Sequence, residues 1–109
     1  MNLLRGEVWW VDLNPTKGSE ISKKRPCVII SADILNQRRK TVVVIPLSTA
    51  PTVRPPLTIG VSAAGQSGVA VIDQIRATAK ERFGNKIGVL SAAEMEEIEE
   101  GLQQILGMS

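Results

Sequence analysis

Apolar residues in this chain fall into short runs, separated by stretches rich in glycine, proline and polar side chains. This spacing is typical of a mainly β domain, in which short strands alternate with turns. In the first run Trp9 and Val11 point to one face and Val8 to the other, which predicts a strand buried on much of both faces. The predicted strands are residues 7–13, 26–31, 41–47, 57–61, 69–75 and 86–90, with a short helical turn within residues 32–39.

The carboxyl-terminal residues carry the clearest helix pattern. Ser91 is a candidate N-cap, and Glu94 three residues later completes a capping box. Gly107 follows the last helical residue and suits a C-cap. The apolar positions recur at helical spacing and are expected to pack on the core: Met95, Ile98, Leu102, Ile105 and Leu106.

These elements predict one domain over residues 1–109, mainly β (α+β), with a small, strongly bent antiparallel sheet or partly open barrel and a C-terminal helix packed on it. Pro46 lacks an amide proton, so strand pairing is expected to stop or bulge there. Residues 14–25 and 48–56 form loops long enough to carry function.

The composition excludes several kinds of site. Histidine is absent, which removes histidine-based acid–base catalysis and histidine-containing zinc sites. Cys27 is the one cysteine, so no intramolecular disulfide forms, and its apolar neighbours predict a buried thiol. Tyrosine is absent and there is one phenylalanine, which disfavours an RNA-binding sheet built on stacked aromatic rings. We therefore expect no metal and no cofactor.

Charge is unevenly distributed along the chain. Five of the eleven acidic residues lie in the last sixteen positions and none of the thirteen basic residues does, so residues 1–93 carry thirteen positive against six negative charges. Such an excess suits a polyanionic partner. No run approaches the roughly 20 apolar residues of a membrane helix, and the N-terminus has no signal-peptide core, so a cytoplasmic location is expected.

Three polar groups interrupt apolar strands or their ends. Arg25, held extended by the following proline, has a guanidinium suited to a phosphodiester, although a solvated cation at a strand edge is the alternative. Ser48 and Thr49 follow the most apolar strand and could bind a phosphate oxygen or cap a turn. Asp73 shares a strand face with Val69 by alternation and needs either a structural partner or a role.

These groups fit cleavage of RNA by its own 2′-hydroxyl. That reaction requires the 2′-oxygen to be held in line with the P–O5′ bond and the charge on the phosphorane to be stabilised. An arginine and a hydroxyl can supply the second requirement. Arginine is a poor proton acceptor, so proton transfer by Arg25 would require an unusual environment.

At these residues the chain resembles the MazF/PemK (Kid) toxin family over nearly its whole length. The order and spacing of the shared motifs make the resemblance specific. The motifs are Arg5-Gly6-Glu7-Val8-Trp9, Val11-Asp12-Leu13-Asn14-Pro15-Thr16-Lys17-Gly18-Ser19-Glu20, Arg25-Pro26, Val44-Ile45-Pro46-Leu47-Ser48-Thr49, Val71-Ile72-Asp73-Gln74-Ile75-Arg76, Ile87-Gly88 and the helix from Ser91.

The resemblance implies a homodimer with an SH3-like barrel core, inhibited by a cognate MazE-like antitoxin. It implies metal-independent cutting of single-stranded RNA at short sequences, which leaves a 2′,3′-cyclic phosphate and a 5′-hydroxyl. The family's catalytic arginine falls on Arg25 and its catalytic hydroxyl on Ser48, with Thr49 as the alternative because the usual Thr-Ser order is reversed. Accessory or substrate-binding candidates are Glu20, Thr49, Asp73, Lys17, Ser19, Lys24 and Gln74.

Two positions depart from the family pattern. In PemK-like members an acid and an arginine two residues before it serve as base and acid; Asp73 matches the acid, but Val71 stands at the arginine's position. We therefore place the proton donor on Arg25 and interpret Asp73 as a binder or orienter. Ile21-Ser22-Lys23-Lys24 replaces the usual Gln and Gly, which predicts a stiffer, more basic loop and an altered RNA preference.

Two other functions remain open. A CcdB-like toxin, which shares the barrel and poisons DNA gyrase through protein contacts, would not need Arg25 or Ser48. Such toxins bind gyrase through the C-terminal end of the last helix. Here that end is only Gly107-Met108-Ser109, which argues against this function. An inactive barrel that binds nucleic acid would retain RNA affinity without cleavage.

Overall fold

Seven strands and two α-helices form the fold in the computed structural model, which describes residues 1–21, 23–49, 52–63 and 65–108. Two short 3-10 helices, Ile72–Gln74 and Lys80–Arg82, flank the sixth strand. The strands are β1 (Glu7–Asp12), β2 (Lys24–Ile29), β3 (Thr41–Ser48), β4 (Thr58–Ala63), β5 (Gln66–Val71), β6 (Arg76–Ala79) and β7 (Phe83–Val89), and the helices are α1 (Asp33–Arg38) and α2 (Ala92–Ile105).

All pairings are antiparallel, in the spatial order β4-β5-β3-β2-β1-β7, with β6 paired to β3 beside this path. One edge of β3 pairs with β6 over Thr41–Val44 and then with β5 at Leu47 and Ser48. Pro46 lies in the gap between these partners, where its missing amide proton is no loss. The expected interruption is therefore confirmed on that edge, but the strand itself continues to Ser48.

The curled sheet buries apolar side chains on both faces. The helix-side core contains Val8, Val28, Ile45, Leu47, Ile59, Val61, Ala70, Ile72 and Leu90, together with Met95 and Ile98 from α2. The opposite core contains Leu3, Val11, Leu13, Cys27, Ile29, Val42, Val44 and Phe83. Alternation along β1 sends Val8 to the first core and Val11 to the second, which confirms a strand buried on both faces.

Helix α2 begins and ends as its sequence predicts. Ser91 accepts a hydrogen bond from the Glu94 amide, and the Glu94 carboxylate accepts one from the Ser91 amide. Gly107 has φ +70°, and the amides of Gly107 and Met108 donate to carbonyls of the last turn, which is a Schellman C-cap. Leu106, expected in the core, is instead exposed. Neither helix of the described residues is long and apolar enough to cross a membrane.

Glu7 ties β1 to β7. Its buried carboxylate accepts hydrogen bonds from the Leu4 amide and the Trp9 indole and lies 2.8 Å from Lys86 Nζ. Burial alone would raise the pKa of Glu7, but these hydrogen bonds and the Lys86 charge favour the carboxylate, so the pKa lies below its ordinary value.

The prediction of one strand over residues 69–75 is wrong. Strand β5 ends at Val71, the 3-10 helix Ile72–Gln74 turns the chain, and β6 begins at Arg76. Strand β6 escaped prediction because two of its residues that face the opposite core, Arg76 and Thr78, are polar. Strand β7 is also longer than expected, from Phe83 to Val89.

Candidate active site

Arg25 and Ser48 lie across from each other on neighbouring strands. The register of β2 and β3 sets Cys27 opposite Pro46 and Val28 opposite Ile45. Continued by two residues, the same register sets Arg25 opposite Ser48. Residues directly opposite each other in an antiparallel pair have Cβ atoms about 4.5–5.5 Å apart. Both residues are half-buried, and they lie at the open end of this central strand pair.

A cleft of about 250 Å³ opens at this position. Its walls include the cationic residues Lys24 and Arg25 and the hydroxyls of Ser48 and Thr49. Its remaining lining is largely apolar or small: Trp10, Pro26, Leu47, Val61, Ala63, Gln66, Ser67, Gly68 and Ile87. Positive charge and hydroxyl donors beside an apolar surface suit a nucleotide, which offers a phosphate and a flat base.

The backbone at Ser48 is held by a close approach of β5. Ser48 pairs with Val69, and a Cβ atom at Gly68 would lie 2.6 Å from the Ser48 carbonyl oxygen. Any larger residue at position 68 would therefore push the two strands apart. Glycine at this position therefore lets β5 pack directly against the Ser48 backbone at the end of β3.

Ser48 also borders a second cleft, of about 390 Å³, which contains Asp73. The expectation that Asp73 lies on an apolar strand face is wrong, since the residue is exposed on the 3-10 helix Ile72–Gln74 and needs no buried partner. Val71 and Arg54 line the same cleft, whereas Arg25 does not. Ser48 therefore lines both clefts, the first together with Arg25 and the second together with Asp73.

The loop between β1 and β2 is folded back on itself. Glu20 accepts a hydrogen bond from the Lys17 amide, at 2.6 Å, and its own amide donates to the Lys17 carbonyl. At the base of the loop, the Lys23 amide donates to Asn14 Oδ1 and the Leu13 amide to the Lys23 carbonyl. The accessory candidates Lys17, Ser19 and Glu20 are exposed on this loop.

Gln74 connects this loop to the 3-10 helix that carries Asp73. Its Oε1 accepts a hydrogen bond from the Ile21 amide at 3.4 Å, and Ile21 packs on the opposite core. The loop therefore lies beside the Asp73 segment, on the same side of the sheet. Ser22, part of the unusual Ile21–Lys24 sequence, lies outside the described residues.

Several residues of this region were not predicted from sequence. Trp10 is 45% exposed and lines the Arg25–Ser48 cleft. Gln66, Ser67 and Gly68 reach the same cleft from β5, a distant part of the chain that local pattern cannot place there. Arg76 lies close enough to Cys27 for its charge to act on the thiol.

Cys27, two residues after Arg25 on β2, is buried, as its apolar neighbours predict. Burial raises the pKa of its thiol to about 12, against the opposing effect of the Arg76 charge. Such a thiol is not a nucleophile at neutral pH. Among the described residues, no group of three or more cysteine, aspartate or glutamate side chains is arranged to hold a metal ion.

Comparison with known proteins gives a consistent result. A family model described as "PemK-like, MazF-like toxin of type II toxin-antitoxin system" matches residues 4–106. The chain is 36% identical to Endoribonuclease MazF9 of Mycobacterium tuberculosis (strain ATCC 25618 / H37Rv), with 91% of this chain and 92% of that protein covered.

Two solved structures share the fold. MazF from Deinococcus radiodurans superposes with a TM-score of 0.89 at 23% identity, and 99% of each chain is covered. An endoribonuclease in complex with its cognate antitoxin, from a mycobacterial species, gives a TM-score of 0.82 at 26% identity, with 97% of this chain and 96% of that chain covered. The curled sheet closed by a C-terminal helix is therefore the MazF fold.

Proposed function

Because the chain belongs to the PemK-like, MazF-like toxin family of type II toxin–antitoxin systems, we propose that it is an endoribonuclease that cuts single-stranded RNA. The observation that carries this proposal is the placement of Arg25 opposite Ser48 at the mouth of a cleft with cationic and hydroxyl walls. The named activity of the relative at 36% identity supports the same reaction. A gyrase poison of the CcdB type would not require this pair.

The proposed chemistry is attack of the RNA 2′-oxygen on the adjacent phosphorus. The new P–O2′ bond forms as the P–O5′ bond breaks, so the products carry a 2′,3′-cyclic phosphate and a 5′-hydroxyl. Solvent water accepts the proton lost from the 2′-hydroxyl, and water also restores the proton that the enzyme gives to the leaving 5′-oxygen, so no net proton is consumed. No metal is part of this scheme, since a fixed guanidinium and hydroxyl can stabilise the phosphorane charge.

Each residue receives a role consistent with its position. Arg25 donates paired hydrogen bonds to the phosphorane oxygens and protonates the leaving 5′-oxygen. Ser48 donates a further hydrogen bond from the opposite strand. Asp73, in the second cleft that Ser48 borders, binds or orients the nucleotide beyond the cut. Lys24 and Thr49 contact the RNA backbone at the rim.

The loop residues complete the proposed RNA surface. Lys17, Ser19 and Glu20 lie on a loop anchored to Gln74, next to the Asp73 segment. In this proposal they contact flanking nucleotides and set the sequence preference. Exchange of this loop between two related toxins should therefore move the cut sites, and unchanged sites would contradict the assignment.

The test is cleavage of a long single-stranded RNA in the presence of EDTA, with the new ends mapped by primer extension. We expect discrete cuts for the wild type and at least about a 100-fold lower rate for Arg25→Ala. Ser48→Ala should lose activity while Thr49→Ala retains most of it; the reverse pattern would assign the hydroxyl to Thr49. A folded wild type that cuts none of several RNAs would refute the proposal.

We further propose that the protein acts in the cytoplasm as a homodimer under control of a MazE-like antitoxin. The mycobacterial structure with its cognate antitoxin supports a protein inhibitor for the family. Sedimentation at micromolar concentration should give the mass of two chains. A cognate antitoxin should abolish cutting at equimolar amounts, and a monomer in solution would contradict the first of these expectations.

A further inference from the structure

Arg76 lies on the same face of the sheet as Arg25. It is the first residue of β6 and pairs with Val44, whose side chain belongs to the opposite core. Arg25 pairs with Val11, which belongs to the same core. Directly paired residues share a face. The two arginines therefore extend from one apolar surface, one from β2 and the other from β6.

The Arg76 side chain crosses this face toward the open end where Arg25 lies. Its Nη1 donates to the Leu13 carbonyl at 3.4 Å. Leu13 follows β1, and its amide donates to the carbonyl of Lys23, the residue before β2. Leu13 therefore lies at the end of the β1–β2 pair where Arg25 lies, two residues past the Val11–Arg25 pair. The effect of the Arg76 charge on Cys27, two residues from Arg25 on the same face, agrees with this path.

Arg76 has no acidic partner among the described residues. The ion pairs recorded there join Arg5 to Glu99 and Lys86 to Glu7, both elsewhere on the molecule. A guanidinium carries five donors, and the long contact to Leu13 uses one of them. The residue is half-buried. A half-buried cation without a counter-charge, on the same face of the sheet as a second arginine, is suited to an anionic ligand.

We propose that Arg76 is a second phosphate-binding arginine, which contacts an RNA phosphodiester next to the one that Arg25 holds. This inference rests on the proposed ribonuclease function. The contact to Leu13 orients the guanidinium and leaves the rest of its fork for two parallel hydrogen bonds to phosphate oxygens. Its contribution is to substrate binding, whereas Arg25 and Ser48 act on the reacting atoms.

Arg82 provides a matched control. Its Nη1 donates to the carbonyls of Asp12 and Asn14, the residues on either side of Leu13. It lines a different cleft, of about 790 Å³, that contains neither Arg25 nor Ser48. Arg76 and Arg82 thus both donate to backbone carbonyls of residues 12–14. If the role of Arg76 were only to hold this segment, loss of either arginine should change RNA binding and stability in the same way.

The experiment compares Arg76→Met and Arg82→Met, each of which keeps an apolar stem. Affinity is measured by fluorescence anisotropy with an RNA oligonucleotide that spans the mapped cut site and carries a 2′-O-methyl group there, so that it binds without being cut. Titrations between about 50 and 200 mM KCl give the dependence of log Kd on log salt. Urea unfolding of each variant reports the structural contribution.

We expect Arg76→Met to bind about tenfold more weakly, and the magnitude of its salt slope to fall by about 0.7, the value for one phosphate of a single strand. Arg82→Met should keep the wild-type slope. Should Arg76→Met unfold, Arg76→Gln, which retains a donor for Leu13 without the charge, replaces it. If the wild type cuts and binds RNA but both variants show the same salt slope, this inference alone would be overturned. A wild type that neither binds nor cuts would refute the proposed function and this inference together.

Discussion

Gly68 offers a direct test of how tightly Ser48, one of the proposed reacting groups, is held. A Cβ atom there would lie 2.6 Å from the Ser48 carbonyl oxygen, against 3.4 Å for the closest ordinary contact. The shortfall of about 0.8 Å cannot be relieved by a side-chain rotation, since the opposing atom is backbone. Gly68→Ala should therefore displace the end of β3 from β5 and carry Ser48 with it.

The expected effect on catalysis follows from this displacement. Reacting groups tolerate misplacement of only about 0.5 Å, and an error of about 1 Å can cost about 100-fold in rate. We expect kcat for a mapped RNA substrate to fall about 10- to 100-fold in Gly68→Ala. Overpacking should also lower the free energy of unfolding by about 1–3 kcal/mol.

Gly60 in the neighbouring strand supplies the control. A Cβ atom there would lie 3.6 Å from Val53 Cγ2, an ordinary contact, and neither glycine has a positive φ. Gly60→Ala should therefore keep near wild-type rates. The assay is single-turnover cleavage of a fluorogenic RNA, with urea unfolding to show that both variants are folded. Equal rates for folded Gly68→Ala and Gly60→Ala would refute the claim that β5 positions Ser48.

Further predictions concern stability and reactivity. The hydrogen bonds and the Lys86 charge hold the pKa of Glu7 below its ordinary value of 4.5. Its carboxylate therefore stabilises the fold above that pH, and this contribution is lost as the pH falls through the lowered pKa. Glu7→Gln should flatten the fall in Tm below about pH 4.5. Cys27 should resist iodoacetamide until the protein is unfolded in urea, because burial raises its pKa to about 12; labelling of the native protein would contradict its burial. Thr78 Oγ1 is buried with no hydrogen-bond partner among the described residues, so Thr78→Val should stabilise the fold by about 1 kcal/mol in urea titrations, and destabilisation would indicate an unseen partner. Ser91→Ala should cost about 1 kcal/mol through loss of the cap to Glu94, whereas an unchanged midpoint would argue that α2 needs no cap.

The elements predicted correctly are those that local pattern determines. The bounds of α2 follow from Ser91 and Gly107, which act on the backbone within a few residues. Strand β3 follows from a run of β-branched residues. The break after Val71 was missed because an apolar run looks the same whether the backbone stays extended or turns into a 3-10 helix. Strand β6 was missed because its inward residues are polar, against the usual pattern.

The candidate site also contains residues that local pattern can single out and placements that it cannot predict. Arg25 and Ser48 could be singled out because each is a polar residue at the end of an apolar strand, next to a proline or a loop. Their opposition depends on the register of β2 and β3, which sequence pattern alone does not determine. The placement of Gly68 against Ser48 and of Arg76 beside Arg25 depends on pairings between distant segments, so neither could be predicted.

In the proposed function, strand residues carry the chemistry and loop residues contact the flanking RNA, which explains how a chain without histidine could hold a reactive site. Arg25 and Ser48 extend from β2 and β3 two residues away from Cys27 and Pro46, which are fully buried and opposite each other, so the packing of the core also holds the two strands in register at the proposed site. Preorganised donors cost no rearrangement when charge develops on the phosphorane. Lys17 and Glu20 instead lie on a loop held by a few hydrogen bonds; in the proposed function, substitution there would alter contacts with flanking nucleotides without disturbing Arg25 and Ser48. In the proposed function, the strands therefore carry the chemistry, which requires rigidity, and the loop carries the sequence preference, which can vary within one fold.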